Sequence, residues 1–251
     1  MAVGKGWEGV VLKLMRGRDF TFTVTGAEDV TEHYRRVRLS DGGLLAEAGD
    51  SLHPTMWVRL WFQSEGKPHQ RAYTLVDPDP AGGTFSLEFA LHDGVASSWA
   101  RAAKPGDTIE ATVQGTGFTA PAPEPQRLLV IGDPASLPAI NSLLDSFPDT
   151  PATLWFETQH DSDAELPIRL DADRHEIRRV GRGTGSGAAL VERVKSELPG
   201  LVTDADSAYV WLACDTATTR ALTGYLRKDL GLPKQALSLY LFETQAIYGL
   251  F

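Results

Sequence analysis

The stretch Thr119-Ala120-Pro121-Ala122-Pro123-Glu124-Pro125 decides how this chain is built, because the residue rhythm differs on its two sides. Alternating prolines cannot continue a strand ladder and hold the backbone stiffly extended, so they mark a boundary. Before it, short runs alternate apolar and polar residues with a period of two: Phe20 to Thr25, Tyr34 to Leu39, Met56 to Phe62, Arg71 to Val76, Thr84 to Leu91 and Thr108 to Val113. Turn formers break them at Asp41-Gly42-Gly43, Asp77-Pro78-Asp79-Pro80 and Ala81-Gly82-Gly83. This pattern predicts a six-stranded antiparallel β-barrel with one helix, over Ser97 to Ala103.

Past the prolines the rhythm becomes strand, turn, helix. Arg127-Leu128-Leu129-Val130-Ile131 is a continuous apolar run of the kind that buried parallel strands show, and Leu137 to Phe147 has helical spacing. Strand-like runs follow at Ala152 to Glu157, Glu176 to Val180, Ala208 to Ala213 and Leu237 to Phe242, with helices expected over Ala188 to Leu198 and Thr216 to Leu230. The expectation is an α/β domain with a doubly wound parallel sheet of five strands. Domain boundaries are placed at 1–121 and 126–251.

Composition narrows the function classes. The 251 residues carry a formal charge of −9, with no Lys/Arg run to offset it, which argues against nucleic acid as a partner. Cys214 is the one cysteine, so an internal disulfide and a cysteine-built metal site are both excluded. A reducing, cytoplasmic setting is expected, since no apolar stretch reaches the length of a bilayer span and residues 1 to 20 lack a signal-peptide core. The amphipathic run Trp7 to Leu14 is expected to pack on its own domain. The six histidines show no ligand spacing, so no metal site is expected.

Two segments of the first half carry chemistry. In His69-Gln70-Arg71-Ala72-Tyr73-Thr74 a cation, an aromatic ring and a hydroxyl fall on one strand-like run, which suits a flavin dinucleotide such as FAD. In Leu91-His92-Asp93-Gly94-Val95-Ala96-Ser97-Ser98-Trp99 small residues precede a helix, whose free N–H groups and dipole favour a pyrophosphate. A barrel-strand tyrosine and an ordinary capped helix would give the same letters. In the second half, Gly183-x-Gly185-x-x-Ala188 formally matches a dinucleotide fingerprint. It follows the third strand rather than the first, so a surface loop is the better reading. Arg182, at a strand end, is a candidate for a ribose 2′-phosphate, with a solvated arginine as the alternative. Ser97 and Ser98 have no His/Asp partner in a nucleophile elbow, and Cys214 reads as a small core residue.

The assembled pattern resembles the siderophore-interacting proteins, FAD-containing ferric-siderophore reductases with a ferredoxin-reductase-like barrel and a nucleotide-binding domain. The family's R-x-Y-T/S motif corresponds to Arg71, Tyr73 and Thr74, its histidine-to-tryptophan segment to His92 through Trp99, and its G-D-x-T/S-A-L-P-A turn to Gly132 through Ala139. The chain is also similar to the cytoplasmic siderophore-interaction domain of mycobacterial iron-siderophore ABC transporters, as a free-standing relative or an excised domain. Val76 stands where many members have arginine, and Cys214-Asp215 where many have Gly-Glu.

What the resemblance implies is an NAD(P)H-dependent flavoenzyme that reduces chelated Fe(III) to Fe(II). Residues 1–121 would bind FAD and residues 126–251 NADPH or NADH. Arg71, Ala72, Tyr73, Thr74, Leu91, His92, Gly94, Val95, Ala96 and Ser97 would hold FAD. Asp133, Ser136, Arg182 and Asp215 would frame the nicotinamide nucleotide, while Arg227, Lys228 and Lys234 are candidates for an anionic ferric siderophore. The alternatives are a flavin-binding siderophore or electron-transfer module without turnover, and a flavin reductase without siderophore specificity.

Overall fold

The structure, a computed structural model, describes residues 17–64, 66–183, 185, 187–202, 208–233 and 236–241. The expectations on Trp7 to Leu14, Lys234 and Phe242 lie outside these residues. Contacts divide the chain after Phe118 into a first unit and a second, Thr119–Glu243.

The first unit is an antiparallel sheet of β1 (Arg18–Thr31), β2 (Tyr34–Ser40), β3 (Trp57–Ser64), β4 (Lys67–Thr74), β5 (Val76–Asp79), β6 (Thr84–Ala90) and β7 (Thr108–Val113). Their order is β4-β3-β7-β1-β2-β6-β5. The two edges, β4 and β5, are separated in sequence by Leu75 alone. Consecutive Cα atoms lie about 3.8 Å apart, so the edges must meet there and the sheet must curl. Seven strands stand where six were expected, because the run Arg71 to Val76 is two strands. At Leu75 the backbone leaves the β3 ladder for that of β6, its N–H donating to the Met56 carbonyl at 2.8 Å. Thr74, Leu75 and Val76 are all buried, as a corner rather than an alternating strand requires.

Phe22, Val37, Leu39, Val58, Leu60, Leu87 and Phe89 fill the inner face. A short helix α1 (Leu44–Ala48) buries Leu44 and Leu45, and α2 (Val95–Ala102) packs Ala96 and Ala100 on the same core. The start of α1 is held by the Asp41 carboxylate, which accepts from the N–H groups of Gly43 at 3.0 Å and Leu45 at 2.7 Å. Glu88 on β6 is buried to a side-chain exposure of 1%. It accepts from the Tyr34 hydroxyl at 2.9 Å and from Nε of Arg36 at 2.9 Å, which compensates its lost hydration.

The second unit is a parallel sheet of β8 (Arg127–Gly132), β9 (Ala152–Thr158), β10 (His175–Gly181), β11 (Ala208–Cys214) and β12 (Leu237–Leu241), in the order β10-β9-β8-β11-β12. Leu129, Ile131, Trp155, Val210, Leu212 and Cys214 share a core with Leu190 and Val194 of α4 (Ala188–Glu197) and Leu222 of α5 (Thr216–Gly224). On the other face, a Cβ at Gly132 would meet Ile140 of α3 (Leu137–Ser146) at 2.6 Å. Helices therefore cover both faces and the sheet is doubly wound, as expected. Beyond α5 the chain makes one π-helical turn over Tyr225–Asp229 before returning to β12.

Removing the buried acceptor in Glu88→Ala takes a hydrogen bond from the Tyr34 hydroxyl and uncouples Arg36. Chemical denaturation should show a loss of about 3 kcal/mol, with Glu88→Gln closer to the wild type.

Candidate functional site

In the first unit the register places the motif residues. Tyr73 lies opposite Val58 and Arg71 opposite Leu60. Directly opposed residues share a face, so Arg71 and Tyr73 turn to the inner side of the sheet with Val58 and Leu60. Ala72 and Thr74 turn to the other side, with Thr74 opposite Trp57. The Tyr73 ring sits 4.4 Å from Phe89 and 6.3 Å from Phe62, and Trp99 of α2 lies 5.7 Å and 5.9 Å from the same two rings. Four aromatics thus tie β4 to the first turns of α2, and the two motif segments come together through them. Burial pushes the Tyr73 phenol well above its ordinary range, so it stays a neutral donor.

The segment Leu91 to Ser97 is folded by its own serine. Ser97 is buried, and its hydroxyl accepts from the His92 N–H at 3.1 Å. Leu91 and Ala96 are buried too, whereas His92 and Gly94 are exposed. Gly94 has φ 151°, a conformation open to few residues with a Cβ, and precedes Val95 at the start of the helix. Arg71 bonds the Gln70 carbonyl at 2.7 Å and forms no ion pair among the described residues. A cation with uncompensated charge, an aromatic wall and a glycine-led helix start form a donor set that fits a flavin dinucleotide.

In the second unit the strand order reverses beside β8, so the chain leaves β8 and β11 in opposite directions and opens a crevice at their carboxyl ends. Asp133 and Asp215 stand there. Asp133 caps the turn Pro134–Ser136: its carboxylate accepts from the Ser136 N–H at 3.0 Å, while the Ser136 hydroxyl accepts from the Asp133 N–H at 2.8 Å. Gly132 is required beside it, since a Cβ would lie 2.4 Å from the Ser136 hydroxyl. Asp215 caps α5, accepting from Ala217 at 2.9 Å and Thr218 at 3.0 Å.

A residue to which sequence reasoning gave no site role links this region, although the run Glu157-x-Gln159-His160-Asp161 is part of the resemblance to the mycobacterial siderophore-interaction domain. Glu157, buried near the end of β9, pairs with Arg182 at 2.7 Å through Nη2 and at 2.8 Å through Nε, and accepts from the Gly187 N–H at 3.0 Å. Arg182 also donates from Nη1 to the Gln159 side chain at 2.9 Å. A carboxylate closing the mostly apolar run from Ala152 to Phe156 is a further sequence signal for it. In the glycine-rich loop, Gly187 has φ 71° and its Cβ would lie 1.6 Å from the Thr218 hydroxyl. That glycine answers a close helix approach.

The carboxyl-end cluster is acidic. Burial first, then the charges of Glu157 and Asp215, push the Asp133 carboxyl up to about 6, against the Ser136 N–H and Arg182, which lower it. Burial likewise drives the Cys214 thiol up, which leaves it inert. Arg227 and Lys228 are exposed on the π-helical turn. Because α5 runs back antiparallel to β11, they stand at the amino ends of the strands, away from Asp133 and Asp215.

Residues 125–242 match the siderophore-interacting protein family, and residues 44–115 match the siderophore-interacting FAD-binding domain. The chain belongs to the siderophore-interacting protein family. It is 33% identical over 253 residues to the mycobactin import ATP-binding/permease protein IrtA of Mycolicibacterium thermoresistibile, covering 97% of this chain and 27% of that protein. The counterpart from Mycobacterium tuberculosis is 32% identical over 243 residues, 94% of this chain and 27% of its own length. The chain therefore spans about a quarter of these relatives. Among solved structures, the siderophore-interacting protein SipS of Aeromonas hydrophila superposes with a TM-score of 0.75 at 21% identity, over 90% of this chain and 91% of that one. Ferredoxin-NADP+ reductase of Plasmodium falciparum gives 0.67 at 11% identity, over 90% and 97%. The fold is ferredoxin-reductase-like.

Gly187→Ala, strained in backbone and clashing with Thr218, should lower stability by roughly 2–4 kcal/mol in urea melts. The raised Asp133 carboxyl gives stability that is present below its unfolded value of 3.8 and lost as pH rises through about 6. Asp133→Asn keeps an acceptor for Ser136 and removes this loss. Relative to the variant, the wild type should weaken between those pH limits by on the order of 2 kcal/mol, read from denaturation midpoints across pH.

Proposed function

We propose that this chain is an FAD-dependent ferric-siderophore reductase, taking hydride from NAD(P)H and reducing chelated Fe(III) to Fe(II) so that iron is released. The first domain, 1–121, is the FAD-binding part and the second, 126–251, the NAD(P)H-binding part. The reading is carried by the aromatic cluster Tyr73, Phe89, Trp99 and Phe62, which joins the Arg71-to-Thr74 segment to the helix that begins at Val95. When bound, FAD supplies hydride acceptance and one-electron delivery, chemistry that no side chain of this protein offers.

The protein's own groups bind and orient. Arg71 offers its guanidinium to a phosphate, and the exposed backbone at Asp93 and Gly94 offers N–H groups to the pyrophosphate. Tyr73 presents an aromatic wall that remains uncharged at physiological pH, and Thr74 offers a hydroxyl at the end of β4. In the second domain Asp133, Ser136 and Asp215 frame a nucleotide at the carboxyl end of the sheet. Reduction serves release because oxygen ligands hold the hard ferric ion far better than the softer ferrous ion. The relatives named as mycobactin import ATP-binding/permease proteins suggest the setting: a reductase working beside siderophore import, on the side to which the chelate is delivered.

The visible absorbance spectrum of the purified protein, supplemented with FAD where needed, tests this. Flavin bands should bleach with reduced nicotinamide under anaerobic conditions and return on addition of a ferric siderophore. A protein that takes up no flavin ends the proposal. Arg71→Ala should weaken FAD binding by on the order of tenfold to a hundredfold in a flavin-fluorescence titration, the loss of one charged hydrogen-bond donor.

A further inference from the structure

We propose that the nicotinamide nucleotide accepted by the second domain is NADH, and that Glu157 sets this preference by holding Arg182 away from a ribose 2′-phosphate. The inference rests on reading that domain as the nicotinamide-binding part, and adds which nucleotide it takes and which residue decides.

A 2′-phosphate is usually held by an arginine whose charge and donors are available to it. Arg182 stands at a fitting place, directly after β10 at the carboxyl end of the sheet, with its own N–H fixed to the Thr158 carbonyl at 2.7 Å. Its side chain is committed elsewhere. Nε and Nη2 both engage one oxygen of Glu157, and Nη1 engages Gln159. The Glu157 side chain is 4% exposed, so the carboxylate is met by this pairing rather than by water. Withdrawing Arg182 to serve a ligand would leave a buried, uncompensated carboxylate, which is among the costliest defects a fold can carry.

The surrounding charge acts in the same direction. The charges of Glu157 and Asp215 both reach Asp133, with Arg182 the cation acting against them. A phosphomonoester dianion brought to this edge meets a net negative field, whereas a ribose diol brings only hydroxyls, which carboxylates accept readily. The other oxygen of Glu157 accepts from Gly187, so one carboxylate joins Arg182 to the residue that precedes α4.

The test is calorimetric binding of NADH and NADPH to the FAD-supplemented full chain, together with ADP and 2′,5′-ADP, none of which requires turnover. The wild type should bind NADH at least about tenfold more tightly than NADPH, and ADP more tightly than 2′,5′-ADP. In Glu157→Gln the amide still accepts from Gly187 but releases Arg182, so the ratio of NADH to NADPH affinity should narrow or invert. Wild-type binding of NADPH equal to or tighter than NADH overturns the inference and leaves the reductase reading standing. A preference that Glu157→Gln leaves unchanged overturns the role of Glu157. Failure of all four nucleotides to bind overturns the inference and the nucleotide-binding reading together. Because the wild-type ratios need no variant, a Glu157→Gln protein that does not fold still leaves the NADH preference decided.

Discussion

In the first unit the chain passes from one edge of a seven-stranded sheet to the other through one residue, Leu75, and much of what positions its site follows from that constraint. Two edges joined by a single peptide step must touch, so the sheet curls and its inner face becomes a closed core. The last residues of β4 then stand at the corner, with Tyr73 turned inward among Phe62, Phe89 and Trp99. The helix bearing Trp99 packs its alanines on the same core, and Trp99 seats it against Phe62 of β3 and Phe89 of β6, the two rings that Tyr73 also meets. Buried aromatic pairs of this geometry contribute roughly 0.5–1.5 kcal/mol each beyond their area. The anion-friendly groups, Arg71 and the backbone at Gly94, therefore sit on an apolar foundation rather than on a polar network that a ligand would have to disturb.

The second unit solves a different problem. A parallel sheet collects its turns at the carboxyl ends of the strands, where backbone groups and loops need polar partners. Three carboxylates supply them locally: Asp133 for the turn after β8, Asp215 for the start of α5, and Glu157 for the loop that opens α4. Each accepts from backbone N–H groups at the start of a turn or helix, which favours negative charge there. The cost is burial first and then repulsion from neighbouring carboxylates, visible in the raised Asp133 carboxyl, while Glu157 is paired with Arg182. The fold's own capping thus makes the crevice acidic.

Much of this was legible before the structure. Alternation through Phe22, Val24, Val37 and Leu39 marks one face of an antiparallel sheet, and the unbroken run Leu128 to Ile131 marks a strand covered on both sides. The last glycine of the glycine-rich stretch has a packing reason that spacing does not show, the close approach of Gly187 to Thr218. The corner at Leu75 was not legible, because period-two reading cannot tell one strand from two that meet end to end when every residue at the join is apolar or buried. Helix α1 was missed because five residues give no periodicity, and its start depends on Asp41. The capture of Arg182 by Glu157 joins positions 25 apart on neighbouring strands, a relation that spacing along the chain does not encode.

Two arginines show why identity and position alone do not make a phosphate site. Arg71 lies within β4 and Arg182 directly after β10, and both were candidates for phosphate binding on the same chemical ground. Arg71 spends a donor on a neutral carbonyl, which leaves its positive charge intact for an anion. Arg182 spends its donors on a buried carboxylate and an amide, which cancels its field and fixes its plane. Coulomb attraction depends on the net charge a ligand meets, so the first arginine can pull in a phosphate and the second can do so only by breaking a pair the fold needs. The same side chain is a ligand-binding group in one unit and a structural counter-ion in the other, and the partner decides which.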